Sequence, residues 1–146
     1  MPLHVRRTAR GFTLIEIMVV VVILGILATL VAPAILGKVD DARIAKAQQD
    51  IRALETALDL YRLDNYKYPS TDQGLEALVT KPDDPAVKNW KPGGYIKQLM
   101  NDPWGNEYLY LEPGTHGQAF DLWTMGADGQ EGGEDAAADI GNWTLK

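Results

Sequence analysis

The chain has no cysteine and only two histidines in 146 residues. Without thiols there can be no disulfide, no thiolate nucleophile and no cysteine-based zinc site, so a small domain must pin its loops some other way. His4 lies in the N-terminal leader and His116 in a turn, and neither has an obvious partner for a catalytic dyad. No G-x-S-x-G, phosphate-binding loop or H-E-x-x-H is present, and no active site is expected. Basic residues are also in deficit, 14 against 20 acids, for a formal charge of -6. No Lys/Arg patch stands out to hold a phosphate backbone, which argues against nucleic acid as a partner.

What the chain does have is one long hydrophobic run. Arg6, Arg7 and Arg10 precede Gly11 and Phe12, and an almost unbroken apolar stretch follows to Leu36, carrying a single acid, Glu16. Residues 17–36 are long enough for a helix to cross a hydrocarbon core of about 30 Å. The head admits two readings. One is an uncleaved signal anchor held with its arginines inside. The other is a leader cut ahead of the run, because a small-x-small cleavage site beyond it is missing while glycine at position 11 offers an unhindered backbone. Glu16 is open in the same way. It either snorkels to the headgroups or serves a function, since an acid at mid-bilayer costs roughly 2.5 kcal/mol or more.

The residues R-G-F-T-L-I-E-I-M-V-V-V-V-I-L-G-I-L-A resemble the class III signal of type IV pilins and type II secretion pseudopilins. The resemblance implies cleavage between Gly11 and Phe12 by a prepilin peptidase, N-methylation of Phe12, and packing of the apolar helix into a filament. It also implies that Glu16 of one subunit meets the Phe12 ammonium of a neighbour, an arrangement that spares both charges an unpaired burial in one axial register only. Pro33 removes a helix hydrogen bond and is expected to kink or loosen the segment together with Gly25. The resemblance implies stretching or melting there on assembly, and an ordinary tolerated proline is the other reading.

Beyond Lys38 the pattern becomes amphipathic. Ile44, Ala47, Ile51, Leu54, Leu58 and Tyr61 recur at spacings of three and four, one stripe on a helix, with Lys46, Asp50, Arg52, Glu55, Asp59 and Arg62 on other faces. The helix is therefore expected to run on from the membrane half to about Leu63, with Asn65 and Pro69 ending it. Asp72 is placed as the cap of a short second helix over 74–80. Tyr66 and Tyr68 are taken as packing residues. Short strands are expected at 94–100, 107–112 and 119–124, separated by turns at N-D-P-W-G-N and P-G-T-H-G. The fold class is α+β, a long N-terminal helix packed on a small antiparallel sheet, with a C-terminal loop at 125–142.

That loop, M-G-A-D-G-Q-E-G-G-E-D-A-A-A-D-I-G-N, is rich in acids and glycines. The mixture suits Ca2+, which takes oxygen ligands in flexible geometry, and it equally suits a solvated acidic loop. It is not an EF-hand. With Asp128 at position one, Gln130 and Gly132 fall where side-chain ligands belong, and Asp139 falls at position twelve. Y-K-Y-P-S-T-D-Q-G-L-E-A-L, D-P-W-G-N-E-Y and the tail resemble one subgroup, the major (G-type) pseudopilins of type II secretion. The resemblance implies a calcium loop with side-chain ligands Asp128 and Asp135 and backbone ligands from Met125, Gly133 and Ala136. Alanine at 136 offers no hydroxyl, so a water or Glu134 would have to complete the shell, and Asp139 is placed as a turn residue.

Three regions follow: a leader, 1–11, a transmembrane and assembly helix, 12–36, and a domain, 37–146. The implied role is a structural one, a homopolymeric pseudopilus that drives folded exoproteins across the outer membrane. The implied partners are further copies of the chain, minor pseudopilins, the inner-membrane assembly platform and the processing peptidase and methylase. The implied location is a single-pass inner-membrane anchor with the domain in the periplasm. The rival readings are an adhesion or uptake pilin and a membrane-anchored, calcium-dependent enzyme or binding module.

Overall fold

The computed structural model describes residues 11–145, with side chains of 34–36 excepted. The leader arginines Arg6, Arg7 and Arg10 lie outside the described residues. One helix dominates, α1 (Leu14–Asn65). The chain divides into two compact units, Met1–Lys38 and Val39–Lys146.

In the first unit α1 is apolar on every side and its described side chains are exposed. It is the one helix among the described residues long and apolar enough to cross a membrane. Pro33 lies inside α1 and does not end it. A single missing N–H and one ring clash are local penalties, and the turns on either side carry the helix across. At Gly25 there is open space where a Cβ would stand.

In the second unit the expected stripe is the spine of the core. Ala47, Ile51, Leu54, Leu58 and Tyr61 are buried with Ala57, against Leu78, Val87, Tyr108, Phe120, Leu122 and Ile140. Asp50 departs from its expected outward face: it is 4% exposed, paired with Lys46 and accepting a hydrogen bond from the Tyr108 hydroxyl at 3.1 Å. A buried carboxylate needs both, because desolvation without partners is costly. The helix closes at Asn65. Its C-terminal neighbour Tyr66 turns left-handed (φ 64) and donates its backbone N–H to the Arg62 carbonyl at 2.7 Å, a common helix stop. Tyr68 packs edge-on to Phe120 as expected, but Tyr66 is 86% exposed and does not pack.

The second helix shrinks to one 3-10 turn, Leu75–Leu78, and Asp72 does not cap it. Instead Ser70 and Gln73 exchange backbone-to-side-chain bonds at 3.0 and 3.3 Å, a Ser-x-x-Gln box that closes the preceding turn. Residues 94–100 form no strand. The Tyr95 N–H is taken by the Leu78 carbonyl at 2.8 Å, and Gly94 passes so close that a Cβ would meet that same oxygen at 2.8 Å. What remains of the ladder there is a single bridge, Asn101 to Glu107.

The sheet is smaller than expected, with a third strand from the tail. Strands β1 (Leu109–Leu111), β2 (Asp121–Thr124) and β3 (Ile140–Gly141) pair antiparallel in that order. Leu109 faces Trp123 in the first pair, and Thr124 faces Ile140 in the second. Asn142 prolongs β3: its N–H reaches the Leu122 carbonyl at 2.9 Å, and its side chain bonds Leu122 N–H and the Phe120 carbonyl at 3.1 Å each. Asp102 locks the D-P-W-G-N turn beneath. It accepts from the N–H groups of Trp104 and Asn106 at 3.0 and 2.8 Å and from the Thr124 hydroxyl.

Candidate functional site

Two places carry the residues singled out above, the head of α1 and the acidic loop. At the head, Gly11, Phe12 and Thr13 are non-helical, and the first helical bond runs from the Ile17 N–H to the Thr13 carbonyl at 3.3 Å. The start is set by side chains. The Thr13 hydroxyl accepts from the Glu16 N–H at 3.3 Å, and Glu16 Oε2 accepts from the Thr13 N–H at 3.3 Å. This is a capping box, which satisfies two otherwise orphaned donors. Phe12 and Ile17 line one shallow apolar groove, the pair of positions that forms a hydrophobic staple around such a box. The Gly11–Phe12 peptide therefore lies outside the helix, and Phe12 is 79% exposed. The capping role of Glu16 was missed above. Its signal was in plain view as T-x-x-E ahead of an apolar run.

In the acidic loop, two 3-10 turns, Gly126–Asp128 and Asp135–Ala137, fold against each other. Glycine permits this. A Cβ at Gly126 would meet the carbonyl oxygens of Ala136 and Ala138 at 2.8 Å, and one at Gly133 would meet that of Ala137 at 2.3 Å. Asp128 is exposed and its Oδ1 accepts the Gln130 N–H at 3.0 Å, while Asp135 is exposed and held left-handed at φ 52. Neither pairs with a basic side chain among the described residues. Asp139 is the turn residue expected: its Oδ2 accepts the Gly132 N–H at 3.0 Å. Its Oδ1 is buried and has no hydrogen-bond partner.

These features fit a hard cation. Unpaired carboxylates, crowded carbonyls and an orphaned buried oxygen are a donor set short of positive charge. Asp128 and Asp135 would supply side-chain oxygens and Met125, Gly133 and Ala136 backbone oxygens. Among the described residues no three acidic or imidazole side chains converge, so such a shell would draw much of its coordination from backbone.

His116 is not alone, contrary to expectation. Its Nδ1 lies 2.9 Å from Asp121 Oδ2, and its ring is stacked on Trp143. Asp121 is 1% exposed and also accepts from the Thr115 N–H and hydroxyl, both at 2.8 Å. Burial by itself would push this carboxyl up, but the Thr115 and His116 donors outweigh it and hold the pKa below its ordinary value. The donors from Thr115 and His116 tie the loop between β1 and β2 to the strand that carries Asp121. No short sequence motif marks it.

Comparison with known proteins agrees with both ends of the chain. The family model described as type II secretion system protein G matches residues 34–143, and the prokaryotic N-terminal methylation motif matches residues 6–32. The type II secretion system core protein G of Vibrio cholerae is 61% identical over 140 residues, covering 96% of this chain and 95% of that one. Its counterpart from Pseudomonas aeruginosa is 62% identical over 139 residues, with 94% and 97% covered. Among solved structures, the major pseudopilin from the type 2 secretion system of enterohaemorrhagic Escherichia coli matches with a TM-score of 0.66 at 48% identity, covering 75% of this chain and 94% of that one. With full-length relatives at this identity and the long helix and small sheet in common, the chain belongs to the type II secretion system protein G family, the major pseudopilins.

Proposed function

We propose that this chain serves as the repeating subunit of the pseudopilus of a type II secretion system, processed at Gly11–Phe12, assembled through its apolar helix and stiffened by Ca2+ in the acidic loop. The observation that carries the reading is the head of α1: a capped helix whose apolar half is exposed, directly behind a non-helical Gly11–Phe12 peptide. Membership in a family of secretion-system structural proteins supports the same role.

Cleavage between Gly11 and Phe12 would leave an ammonium one residue ahead of Thr13, close to the carboxylate that caps the helix. In a membrane-resident subunit Glu16 satisfies its own helix end. On entry into a fibre the carboxylate and a neighbour's Phe12 ammonium would share a low-dielectric core, where either charge unpaired is expensive, and pairing selects the axial register. The apolar helix anchors the subunit in the inner membrane beforehand, and the domain would stand in the periplasm. Growth of the homopolymer, guided by minor pseudopilins and the assembly platform, would push folded exoproteins toward the outer membrane. When bound, Ca2+ would neutralise the acidic loop and cross-link its two turns, the task a disulfide performs in proteins with cysteine.

Mass spectrometry of the N-terminus isolated from a secreting cell tests the core of this reading. The expected mass is that of a chain beginning at methylated Phe12. A chain that keeps its leader while secretion proceeds would overturn it.

A further inference from the structure

Strand β1 is an edge of the sheet, and one rung of that edge is open. Tyr110 stands opposite Leu122 in the pair with β2. The Leu122 N–H donates to Asn142 Oδ1 at 3.1 Å, and the Leu122 carbonyl accepts the Asn142 N–H at 2.9 Å. Leu122 is thus spent on the tail, and backbone groups alternate in direction along a strand, so the N–H and carbonyl of Tyr110 point out from the edge. The positions on either side are covered. The Glu112 N–H donates to the Thr71 hydroxyl at 2.9 Å, and that hydroxyl donates to the Glu112 carbonyl at 2.8 Å. Toward the other end, the bridge from Glu107 to Asn101 lays a second segment along the strand. Between these covers the Tyr110 backbone has no partner among the described residues.

A cleft of about 340 Å³ lies along this rung, within the size range that holds ligands. Leu75, Leu99, Met100 and Leu109 give it an apolar wall, and Leu99 and Met100 are 39% and 43% exposed. Its charged lining is of one sign. Glu76 and Glu107 are both exposed, and neither pairs with a basic side chain among the described residues. An open peptide group, an apolar wall and unpaired charge are the means by which a sheet edge captures an extended peptide. Main-chain bonds give the grip, and side-chain pockets and charge give the choice.

We infer that this cleft docks an extended, lysine-bearing strand of the exported protein, one residue of which exchanges both backbone bonds with Tyr110; the inference rests on the pseudopilus reading and names a contact between subunit and client. Folded proteins guard their exposed sheet edges with charged side chains, lysine above all. The edge of a folded client therefore presents the chemistry that Glu76 and Glu107 complement, and its apolar side chains suit the wall of Leu75, Leu99 and Met100. One rung offers only two backbone bonds, a modest grip that suits a client which must be released. A second copy of this chain is the poorer match, because it carries 20 acids against 14 bases and would bring like charge to an acidic cleft.

The experiment titrates the isotope-labelled, detergent-solubilised full chain with the peptide acetyl-Lys-Val-Lys-Val-Lys-amide and follows the Tyr110 amide by NMR. That amide should shift, and its hydrogen exchange should slow at least tenfold at saturation. The Glu-Val-Glu-Val-Glu analogue should bind at least tenfold more weakly, and Glu76→Lys with Glu107→Lys should reverse the preference without lowering Tm. Equal affinity for the two peptides, or an unmoved Tyr110 amide, overturns the inference. A second arm places p-benzoylphenylalanine at position 99 and irradiates secreting cells. Adducts to the exported protein are expected, and adducts only to further copies of the chain or to other proteins, or none, overturn the inference. The double lysine variant should form filaments at wild-type yield and secrete at least tenfold less. Undiminished secretion from those filaments overturns this inference and leaves the pseudopilus reading standing, whereas a wild-type chain that forms no filament defeats that reading and this inference with it.

Discussion

The imidazole of His116 lies flat on the indole of Trp143, ring centroids 3.7 Å apart and planes 5° from parallel. One ring belongs to the loop between β1 and β2, the other to the segment that leaves the acidic loop. Asp121 sits beneath at 2.9 Å and holds the imidazole in place. The contact fastens the tail to the sheet beside the short strand β3, and Gly141 is small because a Cβ there would stand 2.5 Å from the Trp143 ring.

Asp121 should make stability depend on pH in a defined direction. Its folded pKa is below the ordinary value of 3.8 because donors from Thr115 and His116 outweigh its burial. The unfolded chain then binds the proton more readily than the folded one. The stabilisation is fully present above the unfolded pKa and is lost as pH falls through the lower, folded pKa. Denaturant unfolding of wild type and Asp121→Asn from pH 7 to pH 2 should show a gap that narrows only below about pH 4. At neutral pH the variant should lose about 2 kcal/mol, the scale of hydrogen bonds to a charged group.

Charge and cap at Glu16 can be separated. Glutamine serves a capping box as well as glutamate does, so Glu16→Gln should keep the helix start and lose only the charge. Both Glu16→Gln and Glu16→Ala should be cleaved at Gly11–Phe12 and both should assemble poorly, measured as sheared filaments per cell. Full assembly of the glutamine variant would assign Glu16 to the cap and not to pairing between subunits.

Calcium should stabilise the domain by mass action. At a hundredfold excess over Kd a ligand of the folded state contributes about 2.7 kcal/mol. For a domain of this size that is a Tm shift on the order of 10 °C. Chelator added to the detergent-solubilised chain should lower Tm by that amount, and Asp128→Ala or Asp135→Ala should abolish the difference. Equal Tm with and without chelator in the wild type would leave 125–142 a solvated acidic loop.

Asp102→Ala should cost about 3 kcal/mol in denaturant unfolding. It strands two backbone N–H groups and the buried Thr124 hydroxyl together. Asp102→Asn keeps one acceptor oxygen and should cost less. Equal losses would mean that the turn is held by Pro103 and Gly105 rather than by the carboxylate.

Several parts of this protein were legible from local pattern alone. The apolar run, the glycine ahead of it and the stripe from Ala47 to Tyr61 depend on spacing along a single helix, and helical periodicity is written in the chain. The two strands at Leu109–Leu111 and Asp121–Thr124 fell within their expected spans, shortened because neighbouring residues turn away to other partners. The head of α1 was half read: Glu16 stood out by its charge, while its bond to Thr13 was overlooked although the spacing declares it.

Other features depended on the folded chain. Residues 94–100 have strand-like composition, but the Leu78 carbonyl takes the Tyr95 N–H and no ladder forms. β3 exists because the tail returns to β2, a pairing between segments that carry no mark for one another. Asp50 looked like a surface acid until Tyr108, 58 positions away, came to meet it. The same holds for His116 with Asp121 and Trp143. By itself the sequence determined the helix, its apolar and amphipathic halves and the family, because these reside in local periodicity and contiguous motif. Tertiary structure alone decided which polar groups are buried in pairs, where the third strand lies and which exposed side chains are left with nothing to pack on. Those depend on desolvation and contact between segments distant in the chain, and no local pattern encodes them.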